Sequence, residues 1–265
     1  MTTLTEYNSY GEELEKSLLL RTSPIAVKML EREGDIPEEA IRPKRDRGYH
    51  LAQCQAFAMS RREKATVALL KEDNWCWAPL IGYGLVEMPE FCTEGDIYFP
   101  HFVESREAAQ SLAKIFPRLE YGKYIGIVSA PLKTASFEPD LVLIYSNPAQ
   151  LRTILLAVKY KEGALVTSEF DPIDSCVFST VPVLLTGEYR ITIPDPGEYE
   201  RAMTAEDQII FSVPGGKVET LIQGLRHFEE IKLGYTDLAM VMRPDFPQPE
   251  FYKMLFGMWG LDVQE

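Results

Sequence analysis

Basic residues are scarce in this chain: 27 lysines and arginines stand against 40 aspartates and glutamates, a formal net charge of -13. A surface of that sign repels phosphate backbones and anionic headgroups, so neither nucleic acid nor an anionic membrane is an expected partner. Long apolar runs are also missing. No window approaches the roughly 18 uninterrupted apolar residues that a membrane-spanning helix needs. The opening MTTLTEYNSYGEELEKS lacks the basic start and apolar centre of a secretion signal. The expectation is a cytoplasmic protein whose thiols stay reduced. Cysteine is sparse, with four in 265 residues; that is too few for a disulfide scaffold, and a chain of this length buries a core without one. With only three histidines, and no acidic partner in view for His50, a histidine-activated nucleophile has little support.

The rest of the composition, 46% apolar and 25% charged, is that of an ordinary globular protein. Residues 1–265 read as a single domain, or as two intimately packed halves of about 1–120 and 121–265. Apolar spacing predicts an amphipathic helix over Tyr7–Leu20, ended by Ser23-Pro24. A short β-like run follows, Ile25–Leu30. Lys28 lies inside it, placed by alternation opposite Val27 and Met29, either facing solvent or lining a cleft. Further helices are expected over Tyr49–Arg62, Val103–Phe116, Ala149–Lys159, the Cys176 run to Leu185, and Lys217–Ile231. Asn147 and Pro148 provide an N-cap and a first helical residue for the third of these. Strands are expected at Thr66–Leu70, Tyr124–Ser129, Leu141–Tyr145, Ala164–Glu169, Tyr189–Ile193 and Gln208–Val213. Helices and strands alternate, which predicts an α/β or mixed-sheet α+β fold. Pro244–Pro249 reads as a turn-rich link to a last apolar helix, FYKMLFGMWG, and that helix points to a homo-oligomer.

The residues that carry chemistry are the thiols. Cys54 falls in the expected helix with His50 one turn away, Cys76 follows the Thr66–Leu70 strand between two tryptophans, Cys92 sits in a polar loop, and Cys176 opens a later apolar run. Thiolates are soft ligands and strong nucleophiles, so a fold that gathers them can hold a metal or an iron–sulfur cluster. They are equally ordinary as small buried apolar groups. Arg42, Lys44, Arg45 and Arg47 form a local cationic cluster, either a solvated loop or a grip on a carboxylate or phosphate. Gly82-Tyr-Gly84 lacks the third glycine of a dinucleotide fingerprint.

Taken together, these segments resemble the DUF169 family, found mainly in archaea and anaerobic bacteria. The resemblance rests on Ser23-Pro-Ile-Ala-Val-Lys28, Cys54 ahead of the basic turn Ser60-Arg-Arg-Glu-Lys64, the strand leading to Cys76, and Ile81-Gly-Tyr-Gly84. In the second half it rests on Leu141–Gln150, Cys176 with the run to Pro182, Gly187-Glu-Tyr-Arg190 and Asp207–Pro214. It implies a cytosolic protein of anaerobic metabolism and gives weight to Cys54, Cys76 and Cys176, but not to Cys92. Trp77-Ala-Pro79 stands where the family more usually has small residues. The functional expectation is an iron–sulfur or other metal protein held by Cys54, Cys76 and Cys176. Cys92 or His50 would serve as a further ligand, and Lys28, Arg45 and Arg47 would bind a small anionic metabolite. The competing expectations are a metal-free module that binds a small molecule or cofactor, and a thiol-dependent enzyme.

Overall fold

In the computed structural model, which describes residues 2–235 and 250–260, the chain runs through alternating helices and strands. In order these are α1 (Leu4–Leu18), β1 (Ile25–Leu30), α2 (Gln53–Ala58), β2 (Val67–Leu70), α3 (Trp77–Gly82), α4 (Glu90–Thr93) and α5 (Arg106–Ile115). There follow β3 (Gly126–Pro131), β4 (Leu141–Ser146), α6 (Pro148–Glu162), α7 (Ser175–Phe178), α8 (Val181–Thr186), β5 (Arg190–Thr192), α9 (Pro196–Arg201), β6 (Ile209–Pro214), α10 (Val218–Glu230) and α11 (Glu250–Trp259). Residues 1–235 form one compact unit and residues 236–265 a second, to which α11 belongs. The Pro244–Pro249 link expected from the sequence lies outside the described residues.

The six strands make one sheet in the order β2-β3-β1-β4-β6-β5, with every neighbouring pair antiparallel. β1 lies between β3 and β4, so strands from both halves of the chain interleave. Strands β3 and β4 are buried along their whole length, because helices cover both faces. The alternation of side chains then divides the core in two. Ala26, Leu30, Val128, Val142, Ile144 and Phe211 face α1, α6 and α10. Ile25, Val27, Leu69, Ile127, Leu143 and Ile210 face the shorter helices.

The long helices begin where their caps dictate. Thr3 and Glu6 form a capping box on α1. Asn147 and Gln150 form another on α6, each side chain accepting the other's backbone N–H at 2.8 Å. Elsewhere the chain departs from simple periodicity. The helix expected over Tyr49–Arg62 starts only at Gln53 and widens after Ala58 into a π-type turn, Met59–Glu63. The run from Cys176 to Leu185 breaks into two helices around Pro182, which has no N–H to continue the first one. The carbonyl of Cys176 instead accepts the Thr180 hydroxyl at 2.7 Å. No strand forms at Ala164–Glu169. That segment meets β5 through a side chain, the Ser168 hydroxyl accepting the Ile191 N–H at 2.7 Å. Among the described residues, no helix is long and apolar enough to cross a membrane.

Candidate functional site

Cys54, Cys76 and Cys176 lie far apart in sequence, yet they line one cavity of about 340 Å3. Each stands at the start of a short helix. Cys54 is the second residue of α2, Cys76 immediately precedes α3, and Cys176 is the second residue of α7. A fourth helix, α9, also begins there, and Pro196 and Gly197 complete the floor. The walls include Trp75, Trp77 and Phe102. The Trp77 ring packs against Tyr98 and Phe116, centroids 6.0 and 5.6 Å distant.

Asp195 holds two of these helix starts together. One of its carboxylate oxygens accepts the Glu198 N–H at 2.9 Å and caps α9, while the other accepts the Ser175 N–H and hydroxyl at 3.0 and 2.9 Å. The segment with Cys176 is thereby fixed to the one with Gly197. Asn74 performs a similar service for Cys76, accepting its N–H at 2.8 Å. All four cysteines are free thiols. The Cys54 thiol donates to the Gly197 carbonyl across 3.7 Å. Unpaired N–H groups at helix starts favour thiolates, but here burial wins. It pushes Cys54 up to about 12 and raises Cys76 and Cys176 as well. Without an added positive charge the three sulfurs stay protonated.

One cation stands at the cavity, and it belongs to none of the residues the sequence singled out. Arg201, the last residue of α9, lies against Gly197. A Cβ built on that glycine would come within 2.1 Å of an Arg201 guanidinium nitrogen, the movable end of a flexible side chain, so a larger residue would displace the guanidinium from this place. The guanidinium carbon is 5.1 Å from the centre of the Trp75 ring. Besides Asp195, two carboxyls flank the site. Asp174, a buried wall residue, is raised to about 8 by burial and then by the charges of Asp171 and Asp195; the Tyr98 hydroxyl approaches it at 3.5 Å. Glu198, fully buried behind Gly197, is raised to about 7, chiefly by burial. It accepts hydrogen bonds from Tyr145 at 2.8 Å and Thr204 at 2.7 Å. Arg61, itself buried, donates to Thr204 and lies 4.2 Å over the Tyr145 ring.

The remaining candidates lie elsewhere. His50 precedes α2 and is exposed, so it shares no helical face with Cys54 and does not line the cavity. Cys92 sits in α4, not a loop, and lines a separate apolar cavity of about 440 Å3 that shares only Trp77 with the first. Arg45 and Arg47 are exposed on the Pro43–Arg47 turn, with Arg45 paired to Asp46 at 2.6 Å. Arg42 is buried and serves structure, donating to Asp73 at 2.6 Å. Lys28 is half-buried and lines an open cavity of about 930 Å3, with no residue in common with the cysteine cavity. Among the described residues, no three His, Cys, Asp or Glu side chains stand close enough to grip a single metal ion.

Fold and site thus define a mixed α and β protein with one antiparallel sheet and a three-thiol cavity on one of its faces. The chain belongs to the DUF169 family, described as uncharacterised ArCR, whose family model matches residues 13–224. No curated protein and no solved structure matches the chain.

Proposed function

We propose that this protein is a cysteine-ligated iron–sulfur or other metal protein that acts on, or carries, a small anionic metabolite. Cys54, Cys76 and Cys176 would be the ligands. The observation that carries this reading is the convergence of those three thiols, from three separate helix starts, on one cavity. Burial keeps the three thiols protonated, and a cationic metal core would offset that burial and let them ligate as thiolates. When bound, such a group would supply a Lewis-acidic position not taken by protein. Arg201, beside it, would hold the negative end of the metabolite.

A metal-free thiol enzyme is the second reading, favoured by the closeness of Arg201 to Cys54. The burial that pushes Cys54 up to about 12 argues against a free thiolate nucleophile at neutral pH. Anaerobic purification with iron, zinc and sulfide analysis tests the choice. The expected result is bound metal in the wild type and its loss in each of Cys54→Ser, Cys76→Ser and Cys176→Ser, with Cys92→Ser unaffected. A colourless, metal-free wild type with four titratable thiols would overturn the proposal.

A further inference from the structure

The basic turn at Pro43–Arg47 does not line the cysteine cavity, yet it is built into the rim. Asp73, fully buried, ties the two together. One of its carboxylate oxygens accepts the Arg42 Nε–H at 2.6 Å and the other the Lys44 N–H at 3.0 Å. Its backbone carbonyl accepts the Leu51 N–H at 2.9 Å, and the Leu51 carbonyl accepts the Trp75 N–H at 3.2 Å. Trp75 lines the cavity, with Cys76 next in the chain. The charge of this region is out of keeping with the molecule. Residues 42–49 and 71–75 carry five lysines and arginines against three aspartates and glutamates, in a chain that elsewhere has 22 against 37. Asp46 pairs with Arg45 and Glu72 with Arg42, both at 2.6 Å. Lys44 and Arg47 are exposed and form no ion pair among the described residues. Two large aromatic side chains stand in the same stretch, Tyr49 being 43% and Trp75 51% exposed.

We infer that this patch is a docking surface for an acidic segment of another protein, which lays carboxylates on Lys44 and Arg47 and an apolar side chain against Tyr49 and Trp75. Exposed aromatic residues beside arginine are the side chains that protein interfaces favour, and a turn already fixed in place costs little to order on binding. Salt screens charges beyond about 8 Å at physiological ionic strength, so an approaching partner senses the patch rather than the net charge of the chain. Size argues for protein over nucleic acid. The stretch from Lys44 to Tyr49 spans at most about 20 Å, and a nucleic acid running past it would meet the acidic remainder of the surface. Shape argues against a small molecule. Lys44, Arg45, Arg47 and Tyr49 line none of the three cavities described above, whereas small ligands seat in concave sites. A partner seated here would cover the Trp75 side of the cavity mouth, whatever the three thiols hold.

Fluorescence anisotropy with the metal-free full-length protein tests this. The probe is a fluorescein-labelled peptide of glutamates around a central phenylalanine, set against the same peptide with glutamine in place of every glutamate. At low salt the acidic peptide is expected to bind about tenfold or more tightly than its neutral counterpart, with the gap narrowing as salt is raised. Reversing both exposed cations, Lys44→Glu with Arg47→Glu, should abolish the gap, and the milder Lys44→Gln with Arg47→Gln should narrow it if the reversal disturbs folding. Trp75→Ala should weaken the acidic peptide by about tenfold. Lys159→Glu with Lys161→Glu, an equal reversal on exposed residues of α6, should change nothing. The inference is wrong if the two peptides bind alike, if the Lys44 and Arg47 variants bind like the wild type, or if the α6 reversal is as damaging. Wild-type binding by Trp75→Ala would remove the partner from the cavity mouth, and tighter binding of an oligothymidylate than of the acidic peptide would make the patch a nucleic-acid site. None of these readouts depends on metal content, so this inference and the metal reading can fail independently.

Discussion

The two faces of the sheet are built on different rules. On one, three long helices, α1, α6 and α10, the first two started by capping boxes, lay regular apolar stripes on the strands. On the other, short helices and π-type turns leave helix starts, a cavity and a buried polar hub of Arg61, Tyr145, Glu198 and Thr204. The irregular face carries the buried carboxyls and thiols of the candidate site, and natural folds break their local rules mainly at functional or strained places.

This contrast predicts first an unusual response to pH. Asp174 and Glu198 keep protons in the folded protein up to about pH 8 and pH 7, while the unfolded chain releases them near ordinary carboxyl values. The folded state therefore binds more protons across that window, and stability falls as pH rises through it. Urea unfolding of the metal-free protein should show a loss on the order of several kcal/mol between about pH 5 and pH 8, and Asp174→Asn should remove much of the slope. A stability that is flat or rises over this range would contradict the assignment. A smaller effect is expected from Arg61→Met, which leaves the Glu198 region without its cation. It should cost about 3 kcal/mol in the same assay, part of it restored by adding Glu198→Gln; no recovery in the double variant would mean the two side chains are not coupled. On the regular face, Gly224 of α10 meets α6 so closely that a Cβ would lie 2.3 Å from the Ala157 carbonyl oxygen. Gly224→Ala should cost about 2 kcal/mol through overpacking, yet leave the reactivity of the three cavity thiols at the wild-type level. A change in that reactivity would show that the faces are not independent.

The two faces also differ in how far the sequence reveals them. The helices of the regular face are legible because their signals are local: apolar spacing in Leu151, Ile154 and Val158, the Asn147-Pro148 start, and a stop at Gly163, whose φ of 65° suits glycine. Most strands are legible from their β-rich runs, although strand direction is set by pairing partners distant in sequence. On the irregular face, residue type pointed to Cys54, Cys76 and Cys176, but nothing in their spacing says that they meet. His50 lies before a helix that Ala52 starts too late to include it. Arg201 carries no signal of its own in the sequence, because its setting depends on Gly197, four positions back, and on a thiol from another helix. The Arg42–Arg47 cluster stands out by charge density alone, whereas the signal near Arg201 is the short Asp195-Pro-Gly197 segment before it.

The central position of β1 has a consequence for how this molecule is made. Ile25 pairs with Pro131 on one side and Leu143 on the other, so the first strand to leave the ribosome finds no partner until much of the chain has followed. Cys54 and Cys76 emerge during that delay, and Cys176 later still. At synthesis rates of about 5–20 residues per second, the first thiol waits on the order of ten seconds for the third. Over that interval the nascent thiols are open to oxidants and stray metal ions. The cavity that buries them in the folded protein forms only after that interval, so the nascent chain exposes its thiols in a way the finished fold does not.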